Sequence, residues 1–156
     1  MDVTMNEESH KLLKDMKKFF WIWACIDICV FILIFFLHRG GISPELAPGA
    51  LRAFGIVLLI LTAALCAAAP ILVRSLYVSR TLKAKQFKLA EYARLQKNLT
   101  TLPMAGALFA GLSYFLLVPK LHLYAAMIAA LYGVYSAIPA KKKIRGEINY
   151  FKARCT

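Results

Sequence analysis

The chain has 156 residues, of which 60% are hydrophobic and only 18% are charged, and its formal net charge is +12. Soluble domains average about 45–50% apolar and about 25% charged residues, so this composition excludes an ordinary soluble domain and a disordered chain. Because the basic residues accompany long apolar runs, the charge is typical of a protein at a membrane surface rather than of a nucleic-acid-binding protein.

Four apolar runs follow one another along the chain, each close to the ~20 residues that a helix needs to cross a bilayer. The predicted spans are about 19–37, 53–73, 102–118 and 121–139. Thr101 followed by Pro103 favours a helix start for the third span. The Pro119-Lys120 pair leaves room only for a tight turn before the fourth span. The sequence therefore predicts an all-α integral membrane protein with four transmembrane helices arranged as two antiparallel hairpins.

The distribution of Lys and Arg predicts the orientation of these spans, because cytoplasmic loops carry the excess of basic residues. Seventeen of the 20 basic residues lie in the N-terminal segment 1–18, the loop 74–98 and the tail 140–156. The other side holds Arg39, Arg52 and Lys120. We therefore expect a transmembrane domain at 19–139, with both termini cytoplasmic, in a multi-pass protein of the bacterial inner (plasma) membrane.

The loop between spans two and three, residues 74–98, contains neither Gly nor Pro and carries apolar residues at helical spacing. It is predicted to form a basic helical linker in the cytoplasm. One interpretation is a solvated extension that only fixes topology, and the other is a surface that binds anionic lipid or a partner protein. The candidate binding residues are Arg80, Lys83, Lys85, Lys88, Arg94 and Lys97.

Small residues recur at every fourth position in the last two spans. Helices in lipid associate through close packing of such residues, because lipid tails are as apolar as Leu. The third span pairs Gly106 with Ala110 and Ala107 with Gly111. The stripe on the fourth span consists of Ala125, Ala129, Gly133 and Ala137. These patterns predict a hairpin whose two helices are in close backbone contact.

Asp27 is the only acidic residue inside a predicted span. An ionised carboxylate at that depth costs at least about 2.5–3.5 kcal/mol, so Asp27 is expected to be protonated, paired or in contact with water. Matching depths along the spans places Thr62 level with Asp27, and Tyr114 and Tyr132 within about one turn. Two roles stay open for this polar site: coupling to a proton or cation, and a structural hydrogen bond between helices.

Patterns typical of enzymes and cofactor sites are missing from the sequence. The cysteines show no Cys-x-x-Cys spacing, and the three histidines lack the further ligands that a metal or haem requires. Neither a phosphate-binding Gly loop nor paired carboxylates for acid–base catalysis are found. We therefore predict no catalytic residue, no metal, no cofactor and no nucleic-acid partner.

These features favour a non-enzymatic role as a small membrane accessory or scaffold subunit of a larger membrane complex. Its basic cytoplasmic face would meet anionic lipid or a protein partner, and its helices would associate with other membrane subunits or with a second copy. The alternative is a small oligomeric transporter that couples to a proton or cation through Asp27. A third, less favoured hypothesis is a membrane enzyme acting on a lipid or a glutathione conjugate, which would need a polar cluster at one interface.

Overall fold

The computed structural model of the chain describes residues 2–42, 44, 47–84 and 88–155, with side chains for all of these except 2–9, 84, 145 and 152–155. Within this part of the chain every regular element is helical, which confirms the prediction of an all-α protein. The α-helices are α1 (Asp2–Arg39), α2 (Pro48–Ala63), α3 (Ala69–Ala84), α4 (Leu89–Phe115), α5 (Lys120–Ala137) and α6 (Lys141–Cys155). A π-helical segment, Ala64–Ala68, joins α2 to α3 without a break.

Two helical stretches are long and apolar enough to cross a membrane: His10–Arg39 in α1, and Pro48–Lys83, which runs through α2, the π-helical segment and α3. Only 17% of the most apolar part of each is buried inside the protein. Large apolar side chains such as Leu33 and Ile60 therefore face outward, where lipid tails would cover them. α5 and α6 meet at a bend of 62°. They are a third candidate for crossing the membrane only if the two helices are counted together as one span. These features fit an integral membrane protein, and the count of four spans stays a prediction.

α4 lies among the other helices and contacts α1, α2, α3 and α5. Contacts at its two ends show that α1 runs in the same direction as α4. Near the start, Lys97 Nζ lies 5.9 Å from the centre of the Phe19 ring. Near the end, His38 Nε2 donates to the carbonyl oxygen of Tyr114 at 3.2 Å. Among the described residues α1 therefore packs more on α4 than on α2, and the predicted hairpin of α1 with α2 stays a prediction.

The helix start predicted at Thr101 is wrong, because α4 begins at Leu89 and Pro103 lies inside it. Proline removes one backbone hydrogen bond and crowds the preceding turn. The hydroxyls of Thr100 and Thr101 donate to carbonyl oxygens one turn back at 3.1 and 3.0 Å. Such bonds bend a helix without ending it, and neighbouring helices make an internal proline tolerable in a membrane bundle. The second half of the predicted linker and the third predicted span are thus one helix.

α4 and α5 pack through small residues, with Ala107 and Ala110 of α4 against Ala126 and Ala130 of α5. The buried face of α5 is rotated from the predicted stripe, since it consists of Ala126, Ala130 and Gly133. Steps of four residues drift around a helix that has about 3.6 residues per turn. The buried face of α5 therefore takes one step of three, from Ala130 to Gly133, instead of continuing along the stripe that the sequence suggests.

A second apolar core lies at the end of the bundle that carries most of the basic residues. Its buried members are Leu13, Tyr92, Leu95, Ile144, Ile148 and Phe151. The last three come from α6, where spacings of four and three place them on one face of an amphipathic helix. The segment that the sequence presents only as a basic tail thus contains a helix docked on α1, α3 and α4.

Candidate functional site

A buried polar site lies inside the bundle, around Asp27 of α1. Asp27 is only 7% exposed, and Thr62 of α2 is completely buried. Among the described residues, neither the two carboxylate oxygens of Asp27 nor the hydroxyl of Thr62 has a hydrogen-bond partner. An ionisable side chain inside a membrane bundle is a functional-site hypothesis by default, since its burial in apolar surroundings is unfavourable.

The π-helical segment explains how Cys66 enters the same region. Pro70 has no backbone N–H, so the carbonyl of Cys66 loses its α-helical donor, and the helix widens just before the proline. Ala69 N–H accordingly donates to the carbonyl of Ala64, five residues back. Cys66 is 1% exposed, and its thiol donates to the carbonyl oxygen of Pro103 in α4 at 3.6 Å. Pro70 is thus the residue in the sequence that could have indicated this widening.

Cys66 fits between two glycines of the neighbouring helices. A Cβ atom added to Gly106 of α4 would overlap Cys66 Sγ, and one added to Gly133 of α5 would lie 2.7 Å from Cys66 Cβ. Glycine at both positions therefore lets the π-helical segment approach α4 and α5 without a clash against Cys66. Sequence reasoning identified the glycines as packing residues but not their common neighbour.

The polar residues predicted to surround Asp27 lie in three places. Thr62 precedes Cys66 by about one helical turn, and Asp27 lies near Cys66. Tyr114 instead contacts His38, with ring centres 5.2 Å apart. His38 is eleven residues from Asp27 along α1, which corresponds to about 16 Å at ~1.5 Å per residue. Tyr114 therefore contacts α1 about three turns away from Asp27, and the prediction that Thr62 lies beside Asp27 stays a prediction.

Tyr132 is 62% exposed and faces away from the bundle centre. It lines a cleft of about 180 Å³ that extends from Cys66 to Arg74 and Lys143. Asp27 does not line this cleft. Tyr132 therefore approaches the π-helical segment from the side of α5, whereas Asp27 approaches it from α1.

The predicted lipid- or partner-binding residues separate into distinct surroundings. Lys97 lies over the Phe19 ring. Lys88 Nζ is 3.7 Å from a carboxylate oxygen of Glu91. Lys83 is exposed in the last turn of α3, and Lys85 falls outside the described residues. Among the described members of the set, Arg80 and Arg94 line a common groove between α3 and α4.

This groove, which we call the α3–α4 groove, has a volume of about 390 Å³ and combines apolar with charged side chains. It is lined by Val73, Leu76, Tyr77, Arg80, Thr81, Glu91, Arg94, Leu95 and Asn98. The side chains of Arg80 and Arg94 are exposed, and within the described part of the chain neither has an ion-pair partner. The groove can therefore offer two guanidinium groups next to an apolar surface.

A hydrogen-bond network centred on Glu147 of α6 links α6 to α3 and α4, the two helices that form this groove. The Glu147 carboxylate accepts from Arg74 of α3 at 2.6 Å, and from the Tyr92 hydroxyl and Gln96 Nε2 of α4 at 2.8 and 2.9 Å. Burial, together with the negative charge of Glu147, raises the pKa of Tyr92 well above its usual range, so the hydroxyl remains a donor. Nothing in the sequence pattern distinguishes Glu147, so this network could not be predicted from the sequence.

The chain matches no protein-family model, no curated protein and no solved structure. Within the described residues, no group of three or more His, Cys, Asp or Glu side chains is placed to hold a metal ion. Two places in the bundle therefore indicate what the protein could do, namely the polar site around Asp27 and the α3–α4 groove.

Proposed function

We propose that the protein is a non-enzymatic accessory or scaffold subunit of a larger membrane complex, which presents a folded basic face to anionic lipid or to a partner protein. The observation that carries this proposal is the second core, in which α6 joins α1, α3 and α4. A basic tail that served topology alone would need no such packing. The Glu147 network across α3, α4 and α6 gives the basic end a fixed shape, as a docking surface requires.

The proposed topology has four spans with both termini in the cytoplasm of a bacterial inner membrane. The concentration of Lys and Arg at one end of the bundle supports this orientation. α4 is not among the stretches that are apolar enough on their own to cross a membrane, and its position among the other helices offers a reason. A helix surrounded by protein needs small packing residues such as Gly106 and Ala110 more than large lipid-facing ones. The bend of 62° after α5 would then turn α6 along the cytoplasmic surface.

The experiment that tests the scaffold proposal compares the protein in native membranes with the protein expressed alone. Both samples are solubilised in a mild detergent, and the mass of the protein component is measured by light scattering after size separation. We expect a larger, defined assembly from native membranes, containing either further subunits or several copies of this chain. A monomer in both samples, with no co-purifying subunit, contradicts the proposal.

A second candidate function is transport coupled to a proton or a cation. The specific observation in its favour is the burial of Asp27 and Thr62 without hydrogen-bond partners among the described residues. A carboxyl group in this state has oxygens free to accept an incoming proton or to contact a cation. The test uses protein reconstituted in liposomes that contain a pH-sensitive dye, under an imposed membrane potential. Proton uptake that is abolished by Asp27→Asn supports transport, and equal uptake by both proteins contradicts it.

A further inference from the structure

We propose that the α3–α4 groove binds an anionic phospholipid of the surrounding bilayer, with its phosphate on Arg80 and Arg94 and an acyl chain on the apolar wall. This inference deepens the proposed function and rests on it, since it assigns the lipid component of the basic face to one defined site. It assigns no role to the cleft beside Tyr132 or to the site around Asp27.

The order of side chains along α3 matches the order of chemical groups along a phospholipid. Leu72, Leu76 and Arg80 follow one another at intervals of four residues and therefore lie on one stripe of the helix. Leu72 and Leu76 are 61% and 58% exposed, so an apolar path leads along the helix to the groove. The stripe thus offers two apolar contacts followed by a guanidinium, which suits an acyl chain followed by a phosphate.

α4 supplies the second set of polar contacts from the opposite wall of the groove. Arg94 and Asn98 are one turn apart and both line it. Guanidinium groups bind phosphate oxygens through planar, bidentate hydrogen bonds, and basic pockets between helices at the cytoplasmic side of a membrane suit anionic headgroups. Two arginines from two helices therefore favour a phosphate ester over a single carboxylate.

The charge balance of the groove also favours an anionic occupant. Arg74, a few residues earlier on α3, is already bound to Glu147 at 2.6 Å and lies outside the groove. Arg80 and Arg94 have no such partner in the described part of the chain. Glu91 is the acidic member of the lining, and Lys88 lies 3.7 Å from its carboxylate, which offsets its charge. The groove thus keeps a positive charge next to an apolar surface.

The site is built on a rigid support rather than on mobile surface lysines. Tyr77 lines the groove, and its ring packs against those of Tyr92 and Phe151, at centre distances of 6.5 and 5.6 Å. Tyr92 is in turn held by Glu147. Packing of this kind fixes the spacing of α3 and α4, so the two arginines need no rearrangement of the helices to receive a phosphate.

The test measures lipid binding to the purified full-length protein by native mass spectrometry, with phosphatidylglycerol and phosphatidylcholine as the two probes. The variant Arg80→Gln/Arg94→Gln is compared with Lys141→Gln/Lys142→Gln, which removes the same charge from exposed residues of α6 that do not line the groove. We expect the groove variant to lose about tenfold or more in affinity for phosphatidylglycerol, as loss of charge-assisted hydrogen bonds predicts. The α6 variant should change by less than about twofold, because Lys141 and Lys142 do not line the groove and would make no direct contact with the bound lipid.

Three further arms separate the explanations. Glu91→Gln should tighten phosphatidylglycerol binding, because it removes the negative charge in the groove. Glycerol phosphate at millimolar concentration should not compete, since it lacks the acyl chain, and competition would assign the groove to soluble phosphate esters. Equal losses in the groove and α6 variants would show a diffuse charge effect and overturn the proposal.

The lipid site and the scaffold role can fail separately. The groove variant could bind phosphatidylglycerol as the wild type does but no longer be part of the larger assembly in native membranes. In that case the groove is a protein interface, and the lipid proposal is overturned. If the wild type binds phosphatidylglycerol at the groove but is a monomer in native membranes, the lipid site stands and the scaffold proposal is wrong. Circular dichroism of both variants confirms that each is folded.

Discussion

Close packing around Cys66 leads to a prediction about the two glycines that flank it. A methyl group added at Gly106 would overlap Cys66 Sγ, whereas its next neighbour, Leu65 Cβ, would be 3.3 Å away. A methyl group added at Gly133 would meet Cys66 Cβ at 2.7 Å and Cα at 3.2 Å. The first clash therefore depends on the sulfur atom, and the second depends on atoms that alanine also has.

The magnitudes follow from two opposing effects. Replacing Gly by Ala inside a helix gains about 1 kcal/mol, whereas overpacking a tight contact costs about 1–3 kcal/mol. Gly106→Ala should therefore lower the free energy of unfolding by up to about 2 kcal/mol. With Cys66→Ala also present, the sulfur is gone and Gly106→Ala should raise that free energy by about 1 kcal/mol. Gly133→Ala should destabilise the protein in both backgrounds.

The assay is SDS-induced unfolding in mixed micelles, followed by far-ultraviolet circular dichroism, for the single and double variants. Gly111→Ala serves as the matched control on α4, because its added Cβ would meet the Phe31 ring at 3.4 Å, an ordinary contact. The reasoning is refuted if Gly106→Ala has the same effect with and without Cys66→Ala. A rescue of Gly133→Ala by Cys66→Ala would equally refute the proposed geometry.

Three further predictions concern the basic end and the turn after α4. Glu147→Ala should remove the carboxylate that accepts from the buried hydroxyl of Tyr92 and lower the free energy of unfolding by about 1–3 kcal/mol. Amide hydrogen exchange should then become faster in α6 while remaining slow in α5. Because the folded-state pKa of Tyr92 is raised above the usual value of 10.0, its stabilising contribution is complete below about pH 10 and is lost as the pH rises further. Tyr92→Phe should flatten this alkaline decline in unfolding experiments at pH 9–11, and an unchanged decline would assign it to other groups. Leu117 has a φ of 52°, a left-handed backbone conformation that costs a residue with a side chain about 1 kcal/mol. Leu117→Gly should therefore raise the thermal unfolding midpoint, and a lower midpoint would contradict this prediction.

The helices themselves could be predicted from the sequence because each apolar run is a local signal. Stretches such as 19–37 and 53–73 are long, almost uncharged and free of strong helix breakers except Pro70. The absence of Gly and Pro in 74–98 predicts helix there. Within the described part of this range, residues 74–84 of α3 and 89–98 of α4 are indeed helical. The start at Thr101 was wrong because Pro103 is accommodated by neighbouring helices, which a local pattern cannot reveal.

The arrangement of the site depended on contacts between residues far apart in sequence. Ile144, Ile148 and Phe151 form a clear stripe, but their burial requires partners such as Leu13 and Tyr92 from other helices. Their basic neighbours give the segment the composition of a solvated tail. Of the predicted basic residues that the structure describes, Arg80 and Arg94 meet in one groove, because that meeting depends on how α3 and α4 are rotated about their axes.

The central claim is a four-span bundle whose basic end faces the cytoplasm, and labelling of single cysteines in intact cells tests it most directly. In a Cys155→Ser background, Gly41→Cys, Lys120→Cys and Lys142→Cys are treated with a membrane-impermeant maleimide before and after permeabilisation. The account predicts that Gly41→Cys and Lys120→Cys react in intact cells, whereas Lys142→Cys reacts only after permeabilisation. Protection of Lys120→Cys in intact cells would mean that α4 and α5 do not cross, and it would contradict the account.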